Sequence, residues 1–310
     1  MNVALALPIE LVTAIIDYAL AAQDSLTNKA SWDSVSPLSL ASKIYRTLVL
    51  EAWFRVLLTK DPADVSFIAS KFREIRSSWT RELFCKPQLL DGSQDLEVWD
   101  LTGFRRLHTV RVDCKSCSLA RQFPFRSVPL SITELELLDV YWPSPFVMQG
   151  VADIFPALRT LKLRLPRIWC GLCNTCSSVR FAEPVPPKLV YSEGLGLPIH
   201  YARAMSHMQH LRTVHITVSY SSGTQIQFNA NNPTEDLWSG ECDRCVELLY
   251  GDKDFHDRWT ARKKGIDSAG GKGERLYIKP PALATVEWTF LKNEVDETSD
   301  EEQEDYDDEE

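Results

Sequence analysis

Seven of the eight cysteines stand in C-x-x-C spacing, with two residues between neighbours: Cys114 and Cys117, then Cys170, Cys173 and Cys176, then Cys242 and Cys245. A two-residue turn lets both thiolates reach one tetrahedral zinc at about 2.3 Å, and two such hooks complete a closed four-thiolate site. Cys170 and Cys173 with Cys242 and Cys245 are the first combination to expect, because that pairing anchors an otherwise irregular stretch. Cys114 and Cys117 are the substitute pair. Four thiolates leave no open position for water, so such a zinc is structural and not catalytic. Two other readings stay open. Cysteine is also a small buried filler, and C-x-x-C serves redox chemistry, although no thioredoxin-like β-α-β context surrounds these pairs. The cofactor expectation is a structural zinc or none.

Other chemistry finds less support. The six histidines, including His207 and His210, have no Ser or Cys partner at a recognisable spacing. Glu193-Gly194-Leu195-Gly196 lacks the glycine pattern and the basic residue of a phosphate cradle. No nucleophile, base and oxyanion set can be assembled, so the chain is not expected to be an enzyme.

The elements around the cysteines repeat. FPALRTLKL, with Leu158, Leu161 and Leu163, reads apolar-x-x-apolar-x-apolar, as do FRRLHTVRV (Leu107, Val110, Val112), SITELEL (Ile132, Leu135, Leu137) and MQHLRTVHI (Leu211, Val214, Ile216). The markers Val110, Leu135, Leu161 and Val214 are separated by 25, 26 and 53 residues, and a weaker copy at Leu189 divides the last step. Fainter strands at Leu57 and Phe84 continue the ladder upstream. A period near 26 falls within the roughly 20 to 29 residues of leucine-rich repeats, in which stacked units bury one continuous strand face. The expected fold is therefore α/β, a curved solenoid offering a surface rather than a pocket. Helical sides are expected over 64–76, 148–155 and 199–208, with a last strand over 284–291.

The net charge of −9 is concentrated at one place. Glu294–Glu310 holds twelve of the 43 acids and no Lys or Arg, leaving a body of 34 basic against 31 acidic residues. A near-neutral body argues against nucleic acid, which needs a concentrated basic face. The basic run Arg258–Lys264 reads as a solvated helix face. No stretch reaches the roughly eighteen apolar residues of a membrane span, and the first apolar run carries Glu10 and Asp17 rather than a basic start. No membrane association and an intracellular location, cytoplasmic or nuclear, are expected.

Ahead of the ladder, LPIELVTAIIDYALA places Leu11, Val12, Ile15, Ile16 and Leu20 at helical spacing, and LSLASKIYRTLVLEAWF continues that period through Leu40, Ile44, Leu48 and Ala52. Leu7-Pro8-x-Glu10-Leu11 with Ile15-Ile16, followed by Leu38-Ser39-Leu40-Ala41-Ser42-Lys43-x-Tyr45-Arg46, resembles an F-box. Combined with degenerate leucine-rich repeats, it is similar to the fungal F-box-like proteins over about residues 5 to 290. That resemblance implies docking on the Skp adaptor of a cullin-RING ubiquitin ligase through Leu7, Pro8, Leu11 and Ile15, supported by Leu38 and Leu40. From the residues alone, the same helices also suit a cap on the solenoid's exposed end.

The expected organisation is an F-box-like helical module over 1–54, a leucine-rich-repeat-like domain over 55–293 with a helical insertion at 219–279, and a disordered acidic tail over 294–310. The expected function is substrate recognition for the ligase. Outward positions of the ladder, His108, Arg111, Glu134, Glu136, Arg159, Lys162, Arg212 and His215, would bind an unidentified protein substrate. The rival expectation is a non-enzymatic leucine-rich-repeat scaffold whose N-terminal helices only cap the solenoid.

Overall fold

The computed structural model describes residues 7–21, 32–87, 98–115, 123–141, 144–166, 169–170, 186–192, 194, 196–220 and 279–292. Helix α1, Ile9–Ala21, starts where Leu11 and Val12 donate to the carbonyl of Pro8 at 3.1 and 3.2 Å. After a 3-10 turn at Trp32–Ser34 come α2, Ser36–Ala41, and α3, Lys43–Trp53. Ser42 separates them. Its extended backbone stops α2, and its side chain accepts from the Tyr45 N–H at 3.1 Å to cap α3. Val12 and Ile16 of α1 meet Val35, Val49 and Ala52 in a small apolar cluster of their own.

The larger body is a mixed α/β assembly on a mostly parallel eight-stranded sheet. Its strands are β1 (Val56–Thr59), β2 (Glu82–Cys85), β4 (Thr109–Asp113), β6 (Glu134–Leu138), β7 (Thr160–Leu165), β8 (Lys188–Ser192), β9 (Thr213–Tyr220) and β10 (Thr285–Lys292). Their order across the sheet is β1-β2-β4-β6-β7-β9-β10-β8. A separate two-stranded parallel pair joins β3, Trp99–Asp100, to β5, Phe125–Ser127. Register places Leu57, Leu83, Val110, Leu135, Leu161, Val214 and Val286 in one row, all buried. Two residues on, Cys85, Val112, Leu137, Leu163, Ile216 and Trp288 form a second buried row. Side chains alternate across a strand, so the residues between them face the other way.

Three kinds of segment cover the buried face. Helix α4, Pro62–Lys71, is capped by Asp61 and buries Val65, and the π-turn Ile75–Trp79 follows it. The β3/β5 pair brings Trp99 and Phe125, and helices α5, Pro145–Ile154, and α6, Ile199–Ala204, complete the layer. Pro145 occupies the first turn of α5 and Ser144 caps it, while Val147, Met148, Val151 and Ala152 turn inward. Among the described residues no helix is long and apolar enough to cross a membrane.

The sheet differs from the expected ladder in two places. The rung near Phe84 is marked by Leu83, which pairs with Leu57 and Val110, so the sequence match was one residue out of phase. The Leu189 strand does not lie between β7 and β9. Those two pair directly, and β8 runs antiparallel on the far side of β10. Composition explains this: Lys188, Val190 and Ser192 are exposed and Leu189 and Tyr191 only half-buried, so β8 lacks the fully apolar rows of a central strand. Gly194 and Gly196, with φ of +76° and +77°, turn the chain out of β8. The Gly196 carbonyl accepts from Trp288 Nε1 at 2.9 Å, and a Cβ there would collide with the Tyr191 ring.

Truncating Leu135 or Leu161 to Ala should cost about 2–5 kcal/mol, because the close-packed row cannot collapse around the void. Gly196→Ala should cost more than about 1 kcal/mol from the left-handed backbone alone. Urea unfolding of each variant checks both values.

Candidate functional site

The face opposite the core carries the chemistry. One register row on it reads Arg111, Glu136, Lys162, His215, Glu287 across β4, β6, β7, β9 and β10. With Asp113, Leu138, Asp139, Arg164, Thr217 and Thr289 these residues line an open depression of about 550 Å³. Strand pairing forces opposite charges together. Arg111 Nε lies 3.1 Å from Glu136 Oε2, without hydrogen-bond alignment, and its Nη2 lies 3.7 Å from Glu82 Oε2. Lys162 Nζ donates to Glu134 Oε1 at 2.6 Å. Arg164 Nε stands 3.9 Å from Asp139 Oδ1. Glu287 takes two partners, Lys188 Nζ at 2.8 Å and His215 Nδ1 at 3.6 Å.

These contacts tune one carboxylate. The hydrogen bond from Lys188 holds the Glu287 carboxyl below its ordinary range, and the nearby His215 adds to the effect against a partial desolvation that opposes it. Asp139 adopts φ +52°, a left-handed conformation tolerated best by Asp, Asn and Gly. That turn ends β6 and lets Val140 donate to the Arg164 carbonyl at 3.0 Å.

Of the expected substrate-binding residues, Arg111, Glu136, Lys162 and His215 line the depression, and Glu134 sits one row away, bound to Lys162. His108, Arg159 and Arg212 do not join them. Each precedes its strand and is exposed at the edge where the strands begin. Glu287 was not among the expected residues, although it lies in the strand expected over 284–291 and alternation with the buried Val286 and Trp288 turns it outward. Lys188 had no such signal, because nothing local reveals the reversed direction of β8.

A second surface lies on the N-terminal helices. Val12 and Ile16 point into their cluster, but Leu7, Leu11 and Ile15 stay 52%, 52% and 47% exposed, and Pro8 is exposed beside them. With Tyr18 they make an apolar stripe at i, i+4, i+8 and i+11 along one side. Leu40 of α2 is 82% exposed and Ile44 of α3 is also exposed, whereas Leu38 packs partly into the cluster.

Compared with known proteins, the chain matches no family model, no curated sequence and no solved structure.

Of the cysteine hooks, only the first members of two, Cys114 and Cys170, lie among the described residues. Cys114 and Cys170 are both buried, while Cys117, Cys173, Cys176, Cys242 and Cys245 lie outside the described residues. Cys114 belongs to the main core, and its Sγ donates to the Val112 carbonyl at 3.6 Å. Lone Cys85 is fully buried, and burial pushes its thiol well above the ordinary range, which suppresses thiolate chemistry.

The folded-state pKa of Glu287 is depressed. Its contribution is therefore complete above the unfolded value, about 4.3, and fades as pH falls through the folded one. Glu287→Gln should cost below about 1 kcal/mol at pH 7, given an exposed Lys188 partner, and progressively less as pH falls below the unfolded value. Melting temperatures of both chains across that range should converge toward the acid end.

Proposed function

We propose that this chain is a substrate receptor of a cullin-RING ubiquitin ligase, with an F-box-like module over 1–54 and a leucine-rich-repeat-like body over 55–293. The single observation that carries the reading is the division of α1 between two apolar stripes. Val12 and Ile16 secure the helix to its own cluster, leaving Leu7, Leu11, Ile15 and Tyr18 uncovered. A helix needs only one apolar stripe to fold against its neighbours. The second suits an adaptor such as the Skp subunit, with Leu40 beside it. The buried strand rows, recurring at Leu57, Leu83, Val110, Leu135 and Leu161, support the repeat assignment. Substrate would be held on the polar face, and partner subunits would supply the catalysis. Holding a target beside the conjugating enzyme turns a bimolecular encounter into an effectively intramolecular one.

One observation favours the scaffold reading. Helix α3 leads straight into edge strand β1, Leu50 and Trp53 pack against the main core, and Phe54 stacks on Trp79 at 6.2 Å, so the N-terminal helices also pack against the first end of the body. A pure cap, however, presents a polar outer face. The exposed stripe here is apolar.

Zinc on Cys170 and Cys173 with Cys242 and Cys245 is part of the proposal, pinning the insertion to the body. About one zinc per purified chain is expected, with loss in Cys242→Ser, measured by elemental analysis; a zinc-free native chain leaves the cysteines as packing residues.

Co-expression of residues 1–310 with the Skp adaptor should give a co-eluting complex. Leu11→Ser with Ile15→Ser should abolish it while the melting temperature stays put, since exposed positions away from packing change stability by within about 0.5 kcal/mol. A native chain that never co-elutes would overturn the receptor reading in favour of the scaffold.

A further inference from the structure

The register that aligns the core rows also aligns the residue just ahead of each strand. Each of these carbonyls accepts two N–H groups from the next position across the sheet: Arg55 from Arg81 and Glu82, Arg81 from His108 and Thr109, and His108 from Thr133 and Glu134. The series continues with Thr133 to Arg159 and Thr160, Arg159 to Arg212 and Thr213, and Arg212 to Ala284 and Thr285. Arg55, Arg81, His108, Thr133, Arg159, Arg212 and Ala284 therefore stand side by side along one edge. With neighbouring strands about 4.8 Å apart, His108, Arg159 and Arg212 fall within roughly 15 Å.

This edge is electrically unlike the polar face beside it. On the face, opposite charges neutralise one another in pairs. Along the edge, Arg55 pairs with Asp17 and Arg81 donates to the Ser78 carbonyl. His108, Arg159 and Arg212 are exposed with no ion pair or side-chain hydrogen bond among the described residues, and the same holds for Arg105 and Arg106 in the turn entering β4. Two permanent cations and one titratable one thus stand on a short ledge without counter-charge among the described residues, with Arg105 and Arg106 in the turn ahead of His108.

The chain carries the complement. Glu294–Glu310 holds twelve acids and no Lys or Arg. The run follows β10, which pairs directly with the strand after Arg212. From Lys292 back to the ledge is one strand length, about 26 Å for eight residues. Residues 293–310 extend to about 60 Å, enough to reach the ledge and run along it. A short tether also supplies an effective concentration in the millimolar range. We infer that the acidic run docks on the Arg159–Arg212 ledge of its own sheet and holds that ledge against acidic segments of other proteins. The inference stands independently of the ligase reading.

The test uses the full chain and a fluorescein-labelled peptide of residues 294–310, read by anisotropy at low salt. A variant with its twelve tail acids changed to amides should bind the peptide at least tenfold more tightly than the native chain. That binding should weaken as salt rises, because the contacts are exposed and screened. Adding Arg159→Glu and Arg212→Glu to the neutralised variant should remove it, with Arg159→Gln and Arg212→Gln as the milder pair if reversal lowers the melting temperature. Equal binding by native and neutralised chains overturns the proposal; if charge reversal then abolishes it, the ledge belongs to an external acidic partner. Binding indifferent to reversal overturns it too, moving the peptide elsewhere, as does a neutralised chain that binds nothing.

Discussion

Everything in this molecule depends on the in-register stacking of apolar residues at the centre of parallel strands. Leu83, Val110, Leu135, Leu161, Val214 and Val286 each bury against the neighbouring strand and against the covering layer, and no strand of four to eight residues could hide its row alone. Each fully buried aliphatic side chain contributes about 1.5–3 kcal/mol relative to exposure. The cooperative row explains why the covering segments can vary. A helix, a π-turn and a two-stranded pair all serve, provided each delivers an apolar side chain such as Val65, Ile75, Trp99 or Val151 to the same layer.

The same register fixes the other face without further instruction. Once Val110 and Val112 point inward, Arg111 must point outward, and Glu136, Lys162, His215 and Glu287 fall into line with it. Their pairing contributes little to stability, since exposed ion pairs are worth about 0–1 kcal/mol. Its effect is on the face itself, where opposite charges are interleaved around the 550 Å³ depression beside Leu138 and Leu291.

How much of this was legible follows the length and regularity of each signal. The pattern apolar-x-x-apolar-x-apolar at Leu158, Leu161 and Leu163 is long enough to announce a buried strand, and four copies announce a sheet. Leu83 was misread because Leu83, Phe84 and Cys85 are all apolar, so alternation gives no phase there. The β3/β5 pair, only two and three residues long, is below any periodic signal. The direction of β8 depends on two left-handed glycines and on a strand about a hundred residues away. In the N-terminal helices, the apolar residues were visible but not their division, because Leu11 and Val12 are equally apolar and only the position of α3 decides which is covered.

That distant strand has a consequence for how the chain is made. Strand β10 enters the sheet between β9 and β8, although both precede it in synthesis. Until residues 285–292 leave the ribosome, β9 presents an unpaired edge with Val214, Ile216 and Val218 beside it, and β8 has no described neighbour to pair with. Unpaired edges of this kind recruit other strands, including those of a second copy. Most of the sheet grows outward in chain order from β1, so its earlier pairings are ready when they are needed. The far end must wait for the last strand and then close on both of its sides at once.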